Sequence, residues 1–206
     1  MSKIVLCVDK GNSYIEETVS YLEKHDCCVY SIQNITEENL RNIIGEIELK
    51  EGKLDILLLG ANNQITEDGP IGDTHNMNQL LSLLDEQIYD MESVVEAAIP
   101  LLQKSDLKRI GMITETTSSI GYCSDQQNYG QHMVLAGLNM MGKIYFNRLR
   151  PDGFTFRWYC ADSNTGGISA GEYLLTGLSY DPKEPYIHSD ENRLVMRDRY
   201  LKEIPW

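Results

Sequence analysis

The sequence predicts an α/β fold in which a mainly parallel sheet is covered by helices on both faces. Three observations carry that expectation. Short continuous apolar runs alternate with segments of helical period, which is the pattern of strand-helix-strand units. The apolar runs lack the in-out alternation of a strand with one wet face, so both faces of the sheet should be buried. Finally, 206 residues with 42% apolar and 24% charged side chains suffice for one full core but not two. The expected organisation is therefore a single domain over 1–206.

The elements follow in order along the chain. Ile4 to Val8 is a buried strand, and Asn12-Ser13 is expected to cap a helix whose apolar positions are Ile15, Val19 and Leu22 and which stops near Lys24-His25-Asp26. Cys27 to Ile32 is a second strand, and Thr36 with two glutamates behind it opens a helix through about Leu49. Lys53 to Gly60 is a third strand. A polar loop from Ala61 to Met77 precedes a long helix from about Gln79 to Gln103. Arg109 to Thr114 is a strand, Gln131 to Leu149 a helix, Phe154 to Tyr159 a strand, and Ser169 to about Leu178 a helix. Asp181-Pro-Lys-Glu-Pro marks a surface turn before a closing hairpin, with a last short strand around Leu194 to Arg197. Right-handed crossovers would wind these units into a doubly wound, Rossmann-like parallel sheet of about six strands with helices on both faces.

Charge narrows the function. Eighteen Lys and Arg face 31 Asp and Glu, a formal charge of -13. Nucleic acid and anionic membrane surfaces are therefore not expected partners, because phosphate neutralisation by Lys and Arg supplies most of such affinity. No apolar run reaches the roughly 20 residues of a membrane span, and MSKIVLCVDK is too short an apolar stretch for a signal peptide, so a cytoplasmic protein is expected. Cys7, Cys27, Cys28, Cys123 and Cys160 are irregularly spaced, and at least three sit in strand-like runs; they read as buried free thiols. His25, His75, His132 and His188 share no ligand spacing with them, and no metal site is expected.

Several segments then carry a resemblance over most of the chain. KLDILLLGANN (53–63), IPLLQKSDLKRIGMIT (99–114) and GLNMMGKIYFNRLRPDGFTF (137–156) resemble, in order, LDVLVNNAG, LPLLKKSGGGRIVNIS and ALNMLTKTLAKELRPEGITV of the short-chain dehydrogenase/reductase family. The last match sets the register of the helix that in the family carries the catalytic Tyr-x-x-x-Lys. With Asn139 in register, the Tyr position falls on Gln131 and the Lys position on Leu135; the Ser position falls on Glu115 and the Asn of the preceding helix on Gln87. In the family's mechanism the Tyr hydroxyl exchanges the substrate proton while the Lys lowers its pKa, and neither an amide nor an isobutyl group can do this. Tyr129 lies two residues earlier, a rotation of roughly 200° along a helix, and reads as a packing or capping tyrosine.

The glycine fingerprint of the family also departs. After the first strand the chain reads Asp9-Lys10-Gly11-Asn12-Ser13-Tyr14-Ile15-Glu16, with Lys10, Tyr14 and Glu16 at glycine positions. Glu16 and Glu17 place carboxylates in the first helical turn, where they would repel a diphosphate. One strand-helix unit that in the family reads the adenosine end is missing between the first and third strands. Ala161-Asp162 stands where the family has Pro-Gly, and the substrate-covering segment shrinks to about Ser163 to Ile168.

The resemblance therefore implies a pseudoenzyme without catalytic residues and without a bound cofactor, acting as a binding protein or partner subunit. The alternative is an oxidoreductase that holds NAD or NADP in a displaced mode through Lys10, Gly11, Asn12 and Ser13. Gln87, Glu115, Gln131 and Asp162 are expected to converge at the cleft, either around a small polar or cationic ligand or on one another and water. In the family the helices corresponding to 79–103 and 131–149 form a two-fold interface. The nearly all-apolar stretch Met133 to Phe146, with Ile88, Met91, Val94, Val95, Ala98 and Leu102 before it, implies a homodimer there or pairing with a related active subunit; burial under the C-terminal hairpin is the competing explanation.

Overall fold

A computed structural model describes residues 2–62, 77–162, 166–176 and 193–206. Most of the polar loop, the turn at 181–185 and residues 163–165 of the shortened covering segment lie outside the described residues. Among the described residues, seven strands form one sheet in the order β2-β1-β3-β4-β5-β6-β7. They are β1 (Lys3–Asp9), β2 (Cys27–Ile32), β3 (Ile56–Gly60), β4 (Arg109–Glu115), β5 (Thr155–Ala161), β6 (Met196–Arg197) and β7 (Glu203–Ile204). The first six are parallel and β7 pairs antiparallel with β6, as in a closing hairpin. The sheet thus has one strand more than the six expected, because a two-residue strand is too short to show a period.

The helices are α1 (Ile15–Lys24), α2 (Glu37–Glu51), α3 (Met77–Leu84), α4 (Asp90–Leu102), α5 (Tyr129–Leu149) and α6 (Ala170–Leu175). Alternate strand residues feed two cores. Leu6, Leu57, Leu59, Ile110, Met112, Phe156 and Trp158 point to the face covered by α2, α4 and α5. Val5, Cys7, Ile56, Leu58, Ile113 and Tyr159 point to the face covered by α1 and α6. That two-sided burial is why the strands read as continuous apolar runs. On the second face α6 packs so closely that a Cβ at Gly111 would lie 2.2 Å from Leu174 Cδ2.

Local details depart from the sequence reading. The long helix runs without a break through α3 and α4, but a wide π turn at Asp85–Tyr89 lies between them and carries Gln87 into the interior, fully buried. Thr36 does cap α2, accepting from Asn39 N, whereas the residue at the α1 cap position is Tyr14 rather than Asn12 or Ser13. Helix α6 stops at Leu175, where the buried guanidinium of Arg109 donates to the carbonyls of Leu174 and Thr176 at 2.6 and 2.8 Å. Cations at a helix C-terminus satisfy orphan carbonyls and the dipole together.

At the amino edge of the sheet, buried Asp55 accepts from Ile4 N at 2.9 Å, Lys53 Nζ at 2.8 Å and Ser105 Oγ at 2.5 Å. Burial pushes its carboxyl up, but these three donors prevail and hold it below the usual aspartate range. Its stabilising effect is therefore present above the unfolded pKa, about 3.9, and is lost as pH falls through the lowered folded value. Asp55→Ala should lower unfolding free energy by about 2–3 kcal/mol at pH 7. In denaturant titrations the gap from the parent should close as pH drops below about 4.

Candidate functional site

In open parallel sheets ligands lie outside the carboxyl ends of the strands, where loops diverge. Here that edge presents Asp9 of β1, Gly60 of β3 with Ala61 and Asn62 after it, Glu115 of β4 and Asp162 after β5. The loop from β1 into α1 sets its character. Gly11 adopts φ +92, which glycine tolerates without strain. The turn lets one oxygen of Asp9 accept from both Gly11 N (2.9 Å) and Asn12 N (3.1 Å), while the other oxygen accepts from Gln33 Nε2 at 3.2 Å. Asn12 Oδ1 accepts from Tyr14 N at 3.0 Å, its carbonyl accepts from Ile15 N, and Lys10 N donates to Gly60 O.

Asn12 is buried, and its amide also donates to Ala61 O at 2.7 Å and more weakly to Ile113 O at 3.4 Å. One side chain thereby ties the α1 entry to the ends of β3 and β4. This explains the misplaced cap: the asparagine does serve the helix entry, but from two positions before the cap residue. Lys10, for its part, pairs with Asp90 of α4 at 2.8 Å.

Tyr14 replaces one glycine of the resemblance, and its half-buried phenol feels Glu115, Asp162 and Arg199. Burial first, and then the two carboxylates, push its pKa up, so it remains neutral across the physiological range. Asp162 lies 3.0 Å from Arg199 Nε, an ion-pair distance at which the N–H is not aimed at the oxygen, while Arg199 Nη1 donates to Gly166 O. Glu115, which pairs in register with Ala161, and Asp162 both act electrostatically on the Tyr14 phenol. Gln87 meets the edge at Asn62: its Oε1 accepts from Asn62 N at 2.9 Å, and its buried Nε2 has no hydrogen-bond partner among the described residues. Gln131 is half-buried on α5 and bonds to none of the others among the described residues. Of the four expected residues, Glu115 and Asp162 thus share Tyr14 as a neighbour, while Gln87 is engaged at Asn62.

The remaining positions are also decided. Leu135 is 2% exposed and belongs to the core under α5, so a lysine there would bury an ammonium. Tyr129 begins α5 and is half-buried. Asp9 and Arg199 were not singled out by sequence reasoning. Asp9 had a usable signal, since an aspartate followed by Gly-Asn commonly closes an Asx turn; Arg199 had none, because its partner is 37 residues away. Among the described residues no group of three His, Cys, Asp or Glu side chains is placed to hold a metal ion.

No protein-family model matches the sequence, and no curated protein sequence matches it. Solved structures do. The carbonyl reductase Sniffer of Caenorhabditis elegans superposes with a TM-score of 0.72 at 13% identity, covering 100% of both chains. A short-chain alcohol dehydrogenase from Burkholderia multivorans gives 0.70 at 14% identity, again over 100% of both. ElxO, solved with NADP bound, gives 0.65 at 17% identity over 78% of this chain and 73% of its own. The fold is that of the short-chain dehydrogenase/reductases. Relative to that short-chain dehydrogenase/reductase resemblance, β2 is the edge strand, in line with one strand-helix unit fewer between β1 and β3. No helix among the described residues is long and apolar enough to cross a membrane.

Because Asn12 connects the ends of β3 and β4 to the α1 entry, Asn12→Ala should cost about 1–3 kcal/mol by leaving Ala61 O buried without a donor. Asn12→Asp should cost more, as a carboxylate would face that carbonyl. Equilibrium unfolding in urea measures both.

Proposed function

We propose that this chain is a pseudoenzyme of the short-chain dehydrogenase/reductase fold, with a binding or partner-subunit role rather than dinucleotide-linked catalysis. The observation that carries the reading is the carboxylate of Asp9. A dinucleotide is held on this fold by backbone N–H groups at the start of α1 that face its diphosphate. In this chain the N–H groups of Gly11 and Asn12 already donate to Asp9, and that of Tyr14 to Asn12. The protein's own anion occupies the donors, with Tyr14, Glu16 and Glu17 close by. These residues do not fit a diphosphate, and the pairing of Lys10 with Asp90 removes the cation from the displaced mode as well.

Leu135 in the core and Gln131 at the Tyr position of the resemblance give no acid-base pair for a carbonyl. The competing reading, an NAD(P)-dependent oxidoreductase using Lys10, Gly11, Asn12 and Ser13, has in its favour that NADP is bound in ElxO. A thermal-unfolding titration separates them. With millimolar NADH or NADPH the midpoint should stay unchanged; a ligand present at about 100 times its dissociation constant would instead add roughly 2.7 kcal/mol. A saturable upward shift would favour the oxidoreductase.

The partner surface expected from the sequence needs redrawing. Met91, Val94, Val95, Ala98 and Leu102 of α4 are all buried against the sheet, and Leu138 of α5 is 1% exposed, so none of them is available to a second chain. What α4 presents outward includes Glu92 and Glu96, the latter bound by Tyr145 and Arg148. Helix α5, in contrast, exposes Met133, Met140 and Ile144 at spacings of seven and four, one stripe, beside exposed Ile120. A cavity of about 300 Å³ opens next to it, lined by Ala136, Met140, Leu194 and Trp206 among others. We place a two-fold homodimer on this α5 stripe. Met140→Glu should turn dimer into folded monomer at micromolar concentration in light scattering, since a two-fold would bring like charges together in a desolvated contact. A parent protein that is monomeric under the same conditions would remove the interface.

A further inference from the structure

Strand β2 ends the sheet: it pairs with β1 on one side and with no described strand on the other. Its register with β1 runs from Cys27 opposite Lys3 to Ile32 opposite Val8 without a bulge. The strand reads Cys-Cys-Val-Tyr-Ser-Ile, with no charge and no proline. Soluble proteins ordinarily guard such an edge with a lysine, a proline or a bulge, because its unpaired N–H and C=O groups are a template for another strand. None of those devices is present on β2.

The ground beside the edge is shaped as well. A groove of about 320 Å³ lies between the second half of β2 and α2. Buried Ile32 and half-buried Ile43 form its floor, and exposed Asn39, Asn42 and Glu46 form its rim. Leu49, 88% exposed, extends the same stripe one turn further along α2. Tyr30 of β2 donates to Glu51 Oε1 at 2.9 Å and so ties α2 to the edge strand.

Charge decides the occupant. Helix α2 carries five glutamates against one arginine and one lysine, a net charge of -3. An apolar floor under an acidic rim fits a long cationic side chain whose stem lies on the isoleucines while its head reaches Glu46. Glu46 is paired with Lys50 at 2.6 Å, but both are exposed, where an ion pair is worth little and is easily exchanged. A second copy fits worse: antiparallel pairing of two β2 edges would set two of these acidic helices side by side.

We propose that β2 takes up an extended, basic peptide segment of a partner protein as an added strand. Main-chain hydrogen bonds along the edge supply affinity, and alternate cationic side chains entering the groove supply specificity. The proposal depends neither on the α5 dimer nor on whether the cleft binds a dinucleotide.

The test uses the full chain and a fluorescein-labelled peptide of about eight residues that alternates lysine with valine and threonine. Fluorescence anisotropy should show saturable binding. Methylating every backbone nitrogen of the peptide keeps its charge and removes its donors, and affinity should fall at least about tenfold. Glutamate in place of its lysines should abolish binding. Glu46→Gln, on the exposed rim, should weaken binding roughly threefold to tenfold with unfolding temperature retained. Hydrogen–deuterium exchange should show new protection within Cys28 to Ile32 when the peptide is added. No saturable binding, equal affinity for the methylated peptide, parent-like affinity in Glu46→Gln, or protection confined to another element would overturn the proposal. So would protection of β2 that grows with protein concentration in the absence of peptide, since a second copy would then hold the edge.

Discussion

The carboxylate of Asp9 and the amide of Asn12 set the terms for everything at the carboxyl edge of the sheet. Together they take up the backbone donors between β1 and α1 and tie that turn to the ends of β3 and β4. A loop that on this fold can stay open for an external anion is here closed by an internal one. An anion supplied by the chain is present at unit stoichiometry and loses no translational freedom on binding, so an external diphosphate on this loop would compete with it for the same N–H groups. The consequence spreads outward: Lys10 turns to Asp90, Tyr14 lies towards Glu115 and Asp162, and Arg199 comes from the C-terminal segment to lie beside Asp162.

The same economy of polar groups governs the interior. Asn139 of α5 accepts from Trp158 Nε1 and donates to Ser118 O, joining α5, β5 and the loop after β4 at one buried point. Beside it the helix approaches the sheet so closely that a Cβ on Gly142 would sit 2.2 Å from the Trp158 ring. This contact fixes which side of α5 faces the sheet. It therefore decides that Leu135 and Leu138 are interior while Met133 and Met140 are not. A helix that is apolar nearly all round leaves that choice open in sequence, because its moment points nowhere.

Of the fold, the sequence alone determined a great deal. The strands β1 to β5 and the helices between them were legible because both faces of a parallel sheet are buried and each helix keeps a 3.6-residue stripe. The missing strand-helix unit was a matter of counting. The absence of Tyr and Lys at 131 and 135 was likewise plain, since a helix transmits register without slippage. Strand β7 was legible only as the second arm of the expected closing hairpin and not as a strand of its own, and the π turn at Asp85–Tyr89 was not legible, because one extra residue in a helix leaves no trace in composition.

What only the tertiary structure decided is how side chains distant in sequence share donors and acceptors. Asp9 is a routine strand-end aspartate until Gly11 turns the backbone over it and Gln33 arrives from β2. Asp162 is one more acid until Arg199 comes alongside, and His132 is one of four scattered histidines until Thr117, Cys123 and Asp125 converge on its ring. Hydrophobic periodicity is a local property that survives projection onto one dimension. Hydrogen-bond and charge partnerships depend on distances of about 3 Å between groups tens of residues apart, and such distances exist only once the chain has folded.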